Sequence, residues 1–219
     1  MKRNSLDQWG RVCVYLLTAS TILFYSGAAL PQNPPNDPSA FQPMFEYSKD
    51  ASTVVVSYTH ILGGIGDADK GPSLKIYGDG HMVVHYPPYM KKAGEYTLEL
   101  TQGEMERLLR SLIASKVLEF DAQAVRRSKF ETDAATESSQ PTFYSESDAP
   151  TTTIEIRLTR YTPAGSFAQE VLDVDKKVSW TGLGSDARRY PTVNAIQGLR
   201  AAEQELRALM KHQNLKKIK

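Results

Sequence analysis

The segment from Ser73 to Tyr86 constrains the fold most, because it predicts a β-hairpin in a defined register. Apolar and polar residues alternate in Ser73–Tyr77 and again in His81–Tyr86, and Gly78-Asp79-Gly80 separates the two runs. A two-residue Asp79-Gly80 turn is one way to close the hairpin. A three-residue loop with Gly80 at positive φ instead gathers the apolar side chains on one face, and we expect this arrangement. The predicted apolar face comprises Leu74, Ile76, Met82, Val84 and Tyr86. The predicted outer face comprises Lys75, Tyr77, His81, Val83 and His85.

Alternating and β-branched segments predict four further strands, at 53–58, 96–100, 153–159 and 167–174. Two amphipathic helices are predicted as well. The first begins at a capping box of Thr101 and Glu104 and aligns Met105, Leu108, Leu109, Leu112 and Ile113. The second begins at Pro191-Thr192 and aligns Ile196, Leu199, Ala202, Leu206 and Leu209. The expected fold class is α+β: a mainly antiparallel sheet of about six strands with two amphipathic helices on one face.

The chain is expected to hold a single folded domain over residues 51–212. Residues 30–50 are rich in Pro, Asn and Asp and are interpreted as an extended linker. Inside the domain, Ser, Glu, Asp and Pro predict a mobile loop near 131–150, and residues 176–190 are expected to form a loop that carries Trp180. Residues 213–219 are interpreted as a basic tail.

The first 29 residues are typical of a signal peptide. Lys2, Arg3 and Arg11 supply positive charge, residues 12–30 are uncharged and mostly apolar, and small residues close the run. Cleavage after Ala28 or Ala29 would yield an exported protein, periplasmic or secreted. The alternative is that residues 12–30 remain as an inner-membrane anchor and residues 31–50 form a stalk. Polar residues within the run favour cleavage.

Cysteine usage and charge exclude several classes of function. Cys13 is the only cysteine and lies within the predicted signal peptide, so the exported chain would have no disulfide, thiol nucleophile or cysteine ligand. Residues 1–30 carry three basic residues and one acidic residue, so their removal changes the net charge from +1 to −1. A chain this close to neutral has no electrostatic reason to bind nucleic acid, and no such partner is expected.

Several short motifs resemble a family of small exported bacterial domains of unknown function. They are Ser57-Tyr58, Tyr77-Gly78-Asp79-Gly80, Leu108-Leu109 and Thr153-Ile154-Glu155-Ile156, in a layout that covers most of residues 52–210. Members of that family often carry a Cys-x-Gly-x-Cys-Pro loop before the hairpin. This chain has glycines and no cysteine between Gly63 and Pro72. The resemblance implies the fold and the exported setting, and it implies no activity.

We expect neither a metal nor another cofactor. His81 and His85 lie four residues apart on one predicted strand, about 13 Å, which is too far for both to bind one ion. His60 would have to join one of them from another strand. Residues 67–71, Asp-Ala-Asp-Lys-Gly, resemble part of a calcium loop, but the position of the bidentate acid falls on Gly78.

The sequence assigns no catalytic residue, and an enzyme is the less favoured class. It contains no Gly-x-Ser-x-Gly elbow, no His-Glu-x-x-His pair and no phosphate loop. Ser57 lies near His60 in sequence, but that proximity on a strand is not a catalytic geometry. Asp173 and Asp175 are more typical of surface charges than of a general acid and base.

The predicted ligand-binding surface is an aromatic patch of Tyr77, His81, His85 and Tyr89 around the hairpin. Such a surface suits a glycan, a peptide or an acidic protein of the envelope. The alternative is an ordinary solvent face of an antiparallel sheet. Residues 180–184, Trp-Thr-Gly-Leu-Gly, are a second candidate.

The expected function is that of an exported, non-catalytic domain that binds a partner or belongs to the envelope. One alternative is an exported hydrolase whose site, for example His60 with Asp67 or Asp69, the sequence does not assemble. The other is a membrane-tethered interaction domain that retains residues 12–30.

Overall fold

A computed structural model describes residues 43–63, 71–136, 148–165 and 168–218. The predicted signal peptide, Cys13, and both Asp67 and Asp69 lie outside these ranges. Eight strands and four helices occur in the described part of the chain. They are β1 (Met44–Glu46), β2 (Val54–Ile61), β3 (Ser73–Tyr77), β4 (His81–Tyr86), β5 (Gly94–Glu99), α1 (Gln102–Ala114), α2 (Ala122–Thr136), β6 (Thr151–Thr162), β7 (Val171–Thr181), α3 (Leu183–Arg189), α4 (Asn194–Leu209) and β8 (Lys216–Lys217).

The strands form one antiparallel sheet, which confirms the predicted α+β class. The strand order is β1-β6-β2-β3-β4-β5-β8, and β7 pairs with β6. The 12-residue β6 pairs with three other strands, β1, β2 and β7. One of its edges pairs with β2 through Thr151–Ile156 and with β1 near Thr162, while β7 occupies the other edge.

The hairpin of β3 and β4 has the predicted register. Leu74 lies opposite Val84 and Ile76 opposite Met82. Gly80 adopts a φ of 94°, and its N–H donates to the Tyr77 carbonyl at 3.0 Å. The three-residue loop is therefore confirmed, together with the division of apolar and polar side chains between the two faces.

The apolar face of the sheet is covered by the two predicted amphipathic helices. The apolar stripe of α1 is buried as expected, beneath a capping box in which Glu104 N donates to the Thr101 hydroxyl. The stripe of α4 packs into the same core cluster. Gly198 on α4 lets the two helices approach, since a Cβ there would lie 2.2 Å from the Ser115 carbonyl oxygen.

The expected count of six strands and two helices is too low. Two of the extra elements are short strands: β1, with three residues, lies in the predicted linker, and β8, with two, lies in the predicted basic tail. Such short edge strands are held by their partners, β6 and β5, rather than by local sequence. The sequence pattern therefore carries no signal for them.

The expected loop at 176–190 is wrong: it contains the second half of β7 and all of α3. Lys176 stands on the side of β7 that faces the helices, where the alternation would place an apolar residue. The fold accommodates this lysine because its ammonium donates to the Phe120 carbonyl at 2.8 Å. The predicted strand consequently stopped at 174. Helix α4 also begins later than Pro191-Thr192, at Asn194.

The segment expected to be a loop near 131–150 begins inside α2, which continues to Thr136. Residues 137–147 lie outside the described residues. Asp121 starts α2 by accepting hydrogen bonds from Gln123 N at 2.8 Å and Ala124 N at 3.2 Å. Among the described side chains of this helix only Val125 is buried, so its amphipathic pattern is weak.

The described ranges contain no helix with both the length and the apolar character that crossing a membrane requires.

Candidate functional site

Glu203 is a fully buried carboxylate in the middle of the apolar stripe of α4. Its exposure is 0%, and it follows Ile196 and Leu199 and precedes Leu206 along the buried side of the helix. A carboxylate is rarely buried this completely unless it is paired and hydrogen-bonded. The helix therefore presents an acidic group to the sheet where its spacing would otherwise place an apolar side chain.

The sheet supplies two hydroxyl groups to this carboxylate. The Tyr58 hydroxyl donates to Glu203 Oε1 at 3.4 Å, and the Thr152 hydroxyl donates to the same oxygen at 3.2 Å. His60 lies directly opposite Thr152 in the register of β2 and β6. Its Nδ1 is 3.5 Å from Glu203 Oε1, so the polar groups converge at one end of the sheet.

Two arginines of α4 flank Glu203 on the same side of the helix. Arg200 donates from Nη1 to Glu203 Oε2, and Arg207 Nη1 lies 3.6 Å from Glu203 Oε1. Their positions three residues before and four residues after Glu203 bring these side chains together. Two guanidinium groups thus compensate one buried carboxylate.

Helix α3 brings a third arginine to the same place. The carboxylate of Asp186 anchors this helix by accepting hydrogen bonds from Trp180 Nε1 and Lys129 Nζ, both at 2.7 Å. Gly182 adopts a φ of 72° where the chain turns from β7 into α3. Arg188, on this anchored helix, donates to the Ser185 hydroxyl at 3.4 Å. Among the described residues it pairs with no carboxylate.

The arginine of α3 lies close to one of the arginines of α4. A Cβ built on Gly184 would lie 3.9 Å from Nη1 of Arg188 and 3.9 Å from Nη1 of Arg200. Because each of the two Nη1 atoms lies 3.9 Å from the same point, they are at most 7.8 Å apart. Like charges this close favour the presence of a negative group between them.

A cavity of about 260 Å³ opens at this point. We call it the arginine pocket and define it by His60, Thr152, Arg188, Arg200, Glu203 and Arg207; the Gly182–Ser185 turn and Pro150 complete its wall. Three guanidinium groups and one carboxylate give it an excess of positive charge.

The environment shifts the titration of two groups in the pocket. Burial lowers the pKa of His60 below 6.5; Arg207 and Arg200 lower it further, and Glu203 partly opposes them. Burial, followed by the charge of Glu203, raises the pKa of the Tyr58 hydroxyl well above its usual value of 10.0. At neutral pH His60 is therefore neutral, and Tyr58 is a hydrogen-bond donor.

A second, smaller cavity of about 80 Å³ adjoins the first. We call it the apolar slot and define it by Tyr58, Pro72, Tyr86, Met90 and Met210; Lys211 completes its wall. His60 and Arg207 line both cavities. The Tyr86 hydroxyl donates to the Met210 carbonyl at 2.5 Å, which fixes the end of α4 against β4.

A third cavity, of about 690 Å³, lies between α2 and the start of α4 and is lined in part by Glu119, Asp121 and Glu131. Two of these carboxylates have structural partners, since Glu119 accepts a hydrogen bond from the Tyr161 hydroxyl at 2.7 Å and Asp121 caps α2. In the described part of the chain, no three His, Cys, Asp or Glu side chains are grouped to hold a metal ion. The arginine pocket is smaller, but three guanidinium groups and a buried carboxylate converge in it.

The predicted aromatic patch lies on the outer face of the sheet and is only partly assembled. The rings of Tyr77 and His81 have centroids 5.9 Å apart, and His81 Nδ1 lies 2.8 Å from Glu99 Oε1. His85 lies four residues further along β4, and Tyr89 follows in the turn after that strand. The four residues thus form a row rather than a pocket, and a partner surface here stays a prediction.

The second predicted candidate, Trp180–Gly184, contributes to the arginine pocket in a different way. Trp180 belongs to β7, is buried, and packs edge-on against Phe120 at 5.6 Å between centroids. The segment after it forms the turn that lines the cavity. Residues 67–70 of the suggested calcium motif lie outside the described residues.

Glu203 and the three arginines were not among the residues predicted from the sequence. One signal was available: a glutamate stands on the apolar stripe of the last helix, with arginines three residues before and four after it. Arg188 had no such signal, because α3 was expected to be a loop.

No family, no curated protein and no solved structure was found to match this chain.

Proposed function

We propose that this chain is an exported, non-catalytic binding domain and that its arginine pocket binds a small anion. The observation that carries the proposal is the convergence of Arg188, Arg200 and Arg207 on one cavity around a fully buried Glu203. The N-terminal sequence pattern supports export.

The pocket has many more hydrogen-bond donors than acceptors. Each guanidinium carries five N–H donors and no acceptor. Glu203 accepts from Arg200 and lies within 3.6 Å of Arg207, whereas Arg188 has the Ser185 hydroxyl as its partner. A carboxylate or a phosphate would supply the missing acceptors in the geometry that guanidinium groups bind best.

Glu203 does not cancel this positive charge. Three arginines and one glutamate leave the pocket at about +2 when His60 is neutral. The carboxylate also accepts from the hydroxyls of Tyr58 and Thr152. We therefore assign Glu203 a positioning role, in which it holds Arg200 and Arg207 at the wall of the cavity.

Asp67 and Asp69 of the hydrolase alternative lie outside the described residues, but Thr152 and Glu203 both lie within hydrogen-bonding range of His60. A nucleophile–histidine–acid triad needs its two partners on opposite ring nitrogens. Here Thr152 Oγ1 at 3.4 Å and Glu203 Oε1 at 3.5 Å both approach Nδ1 of His60. This geometry favours binding over nucleophilic catalysis.

Calorimetric titration with acetate, phosphate and sulfate at low ionic strength tests the anion site. The informative variant is Arg188→Gln, and the matched control is Arg189→Gln, whose guanidinium pairs with Asp133 at 3.3 Å. We expect saturable binding that Arg188→Gln weakens at least tenfold, because a charge-assisted hydrogen bond contributes about 1.5–3 kcal/mol. Equal affinities for the two variants would refute the proposed site.

Export is tested separately, by intact mass and N-terminal sequencing of the protein from fractionated native cells. A start at Ala29 or Leu30 in the soluble exported fraction supports the proposal. An intact Met1 in the membrane fraction supports the tethered alternative instead.

A further inference from the structure

The arginine pocket and the apolar slot are neighbouring compartments of opposite character. His60 and Arg207 line both of them. On one side of these two residues lie the charged groups around Glu203, and on the other lie Pro72, Met90 and Met210. A ligand that touches Arg207 from the first compartment is therefore within reach of the second.

The two hydroxyl groups that line the slot are already engaged in the protein. The Tyr58 hydroxyl donates to Glu203, and the Tyr86 hydroxyl donates to the Met210 carbonyl. The slot consequently offers an incoming group mainly apolar contacts. An apolar substituent would gain by leaving water here, whereas a polar one would find neither hydroxyl free to bind it.

The volume of the slot limits the size of that substituent. A water molecule occupies about 30 Å³ in the liquid, and an apolar cavity that accommodates benzene measures about 150 Å³. The slot, at about 80 Å³, suits about three carbon atoms and is too small for an aromatic ring.

We propose that the ligand is an amphipathic anion, with its charged head in the arginine pocket and a short aliphatic chain of about three carbons in the apolar slot. This inference rests on the anion site proposed above. The shared chemistry is an anionic head on a small alkyl group, and the head is either a carboxylate or a phosphate monoester.

Two homologous series measured by calorimetry on the whole protein test this inference. One series is acetate, propionate, butyrate, hexanoate and benzoate; the other is methyl, ethyl and propyl phosphate. We expect affinity to rise about fourfold for each methylene that enters the slot, and to stop rising after butyrate. Benzoate should bind more weakly than butyrate. The series that rises identifies the head group.

A variant that fills the slot provides the second test. Met90→Phe enlarges a half-buried side chain in the turn after β4, and the matched control is Met44→Phe, at a residue 69% exposed on β1. We expect Met90→Phe to abolish the gain in affinity from acetate to butyrate. Met44→Phe should keep the gain.

The outcomes separate this inference from the proposed function. Arg188-dependent acetate binding without any dependence on chain length would overturn the amphipathic ligand and leave the anion site standing. A gain that continues through hexanoate, or one that Met90→Phe leaves intact, would also overturn it. Absence of binding by every anion, acetate included, would overturn both proposals.

Discussion

Glu203 illustrates how a single buried residue can organise a site. Removing a carboxylate from water is costly unless its partners restore the lost interactions. Two hydroxyls of the sheet and two guanidinium groups of its own helix do so here. The same contacts fix Arg200 and Arg207 at the cavity wall, so the stability of the core and the charge of the pocket depend on one side chain.

Replacing Glu203 should therefore be strongly destabilising. Glu203→Ala removes the acceptor of the buried Tyr58 and Thr152 hydroxyls, and a buried donor left unsatisfied costs about 1–3 kcal/mol. The control is Glu205→Ala on the same helix, a half-buried glutamate that accepts from the Ser111 hydroxyl. Urea denaturation gives both free energies of unfolding. Equal losses of unfolding free energy would show that burial does not raise the contribution of Glu203 to stability.

His60 should make stability depend on pH. Its pKa is lowered in the folded protein, first by burial and then by Arg207 and Arg200, so the unfolded chain binds the proton more readily. The contribution of His60 is thus present above about pH 6.5 and is lost as the pH falls through the folded pKa. We expect the free energy of unfolding to drop less between pH 7.5 and pH 5 in His60→Gln than in the wild type. Identical drops would contradict this.

Two glycines in helices should respond to alanine in opposite directions. A Cβ at Gly198 would lie 2.2 Å from the Ser115 carbonyl oxygen, whereas a Cβ at Gly103 meets nothing within 4 Å. Gly198→Ala should cost about 1–3 kcal/mol by overpacking the contact between α1 and α4. Gly103→Ala should be neutral or stabilising by up to about 1 kcal/mol. The melting temperatures of the two variants test this expectation. An unchanged melting temperature in Gly198→Ala would mean that the helices can separate at no cost.

At the scale of elements, the hairpin of β3 and β4 was predictable because its information is local. Alternation in two adjacent runs and one glycine loop determine both strands, their register and their faces. The same holds for α1, whose cap and apolar stripe lie within one segment. Elements of this kind are specified by residues close in sequence.

The hairpin loop gives the most direct test at this scale. Gly80→Val forces a branched residue to a φ of 94° and places its Cβ 2.3 Å from the Leu100 carbonyl oxygen. Asp79→Ala removes one acceptor, which binds His81 N at 2.9 Å. We expect the larger fall in melting temperature for Gly80→Val. Equal falls would contradict the loop geometry.

Helix α3 and the second half of β7 were not predictable from local patterns. Lys176 interrupts the alternation of β7 because its partner, the Phe120 carbonyl, lies 56 positions away in the chain. Asp186 anchors α3 through Lys129, which is 57 positions away. Contacts at such separations appear only once the chain has folded, and they bring Arg188 to the site.

At the scale of the whole molecule, the arginine pocket forms where the end of the sheet meets two helices. His60 comes from β2, Thr152 from β6, Arg188 from α3 and Glu203 from α4. The hydrogen bond between Tyr58 and Glu203 joins residues 145 positions apart. The sequence predicted the sheet and helices that frame the pocket, but it could not show which polar residues converge there.

The most direct test of the central claim is an NMR titration that follows the arginine Nε–Hε signals as butyrate or phosphate is added. We expect the signals of Arg188, Arg200 and Arg207 to shift together with a single dissociation constant, while that of Arg110, which lies over the Phe45 ring, stays in place. Shifts confined to arginines outside the pocket, or no saturable shift at all, would contradict it.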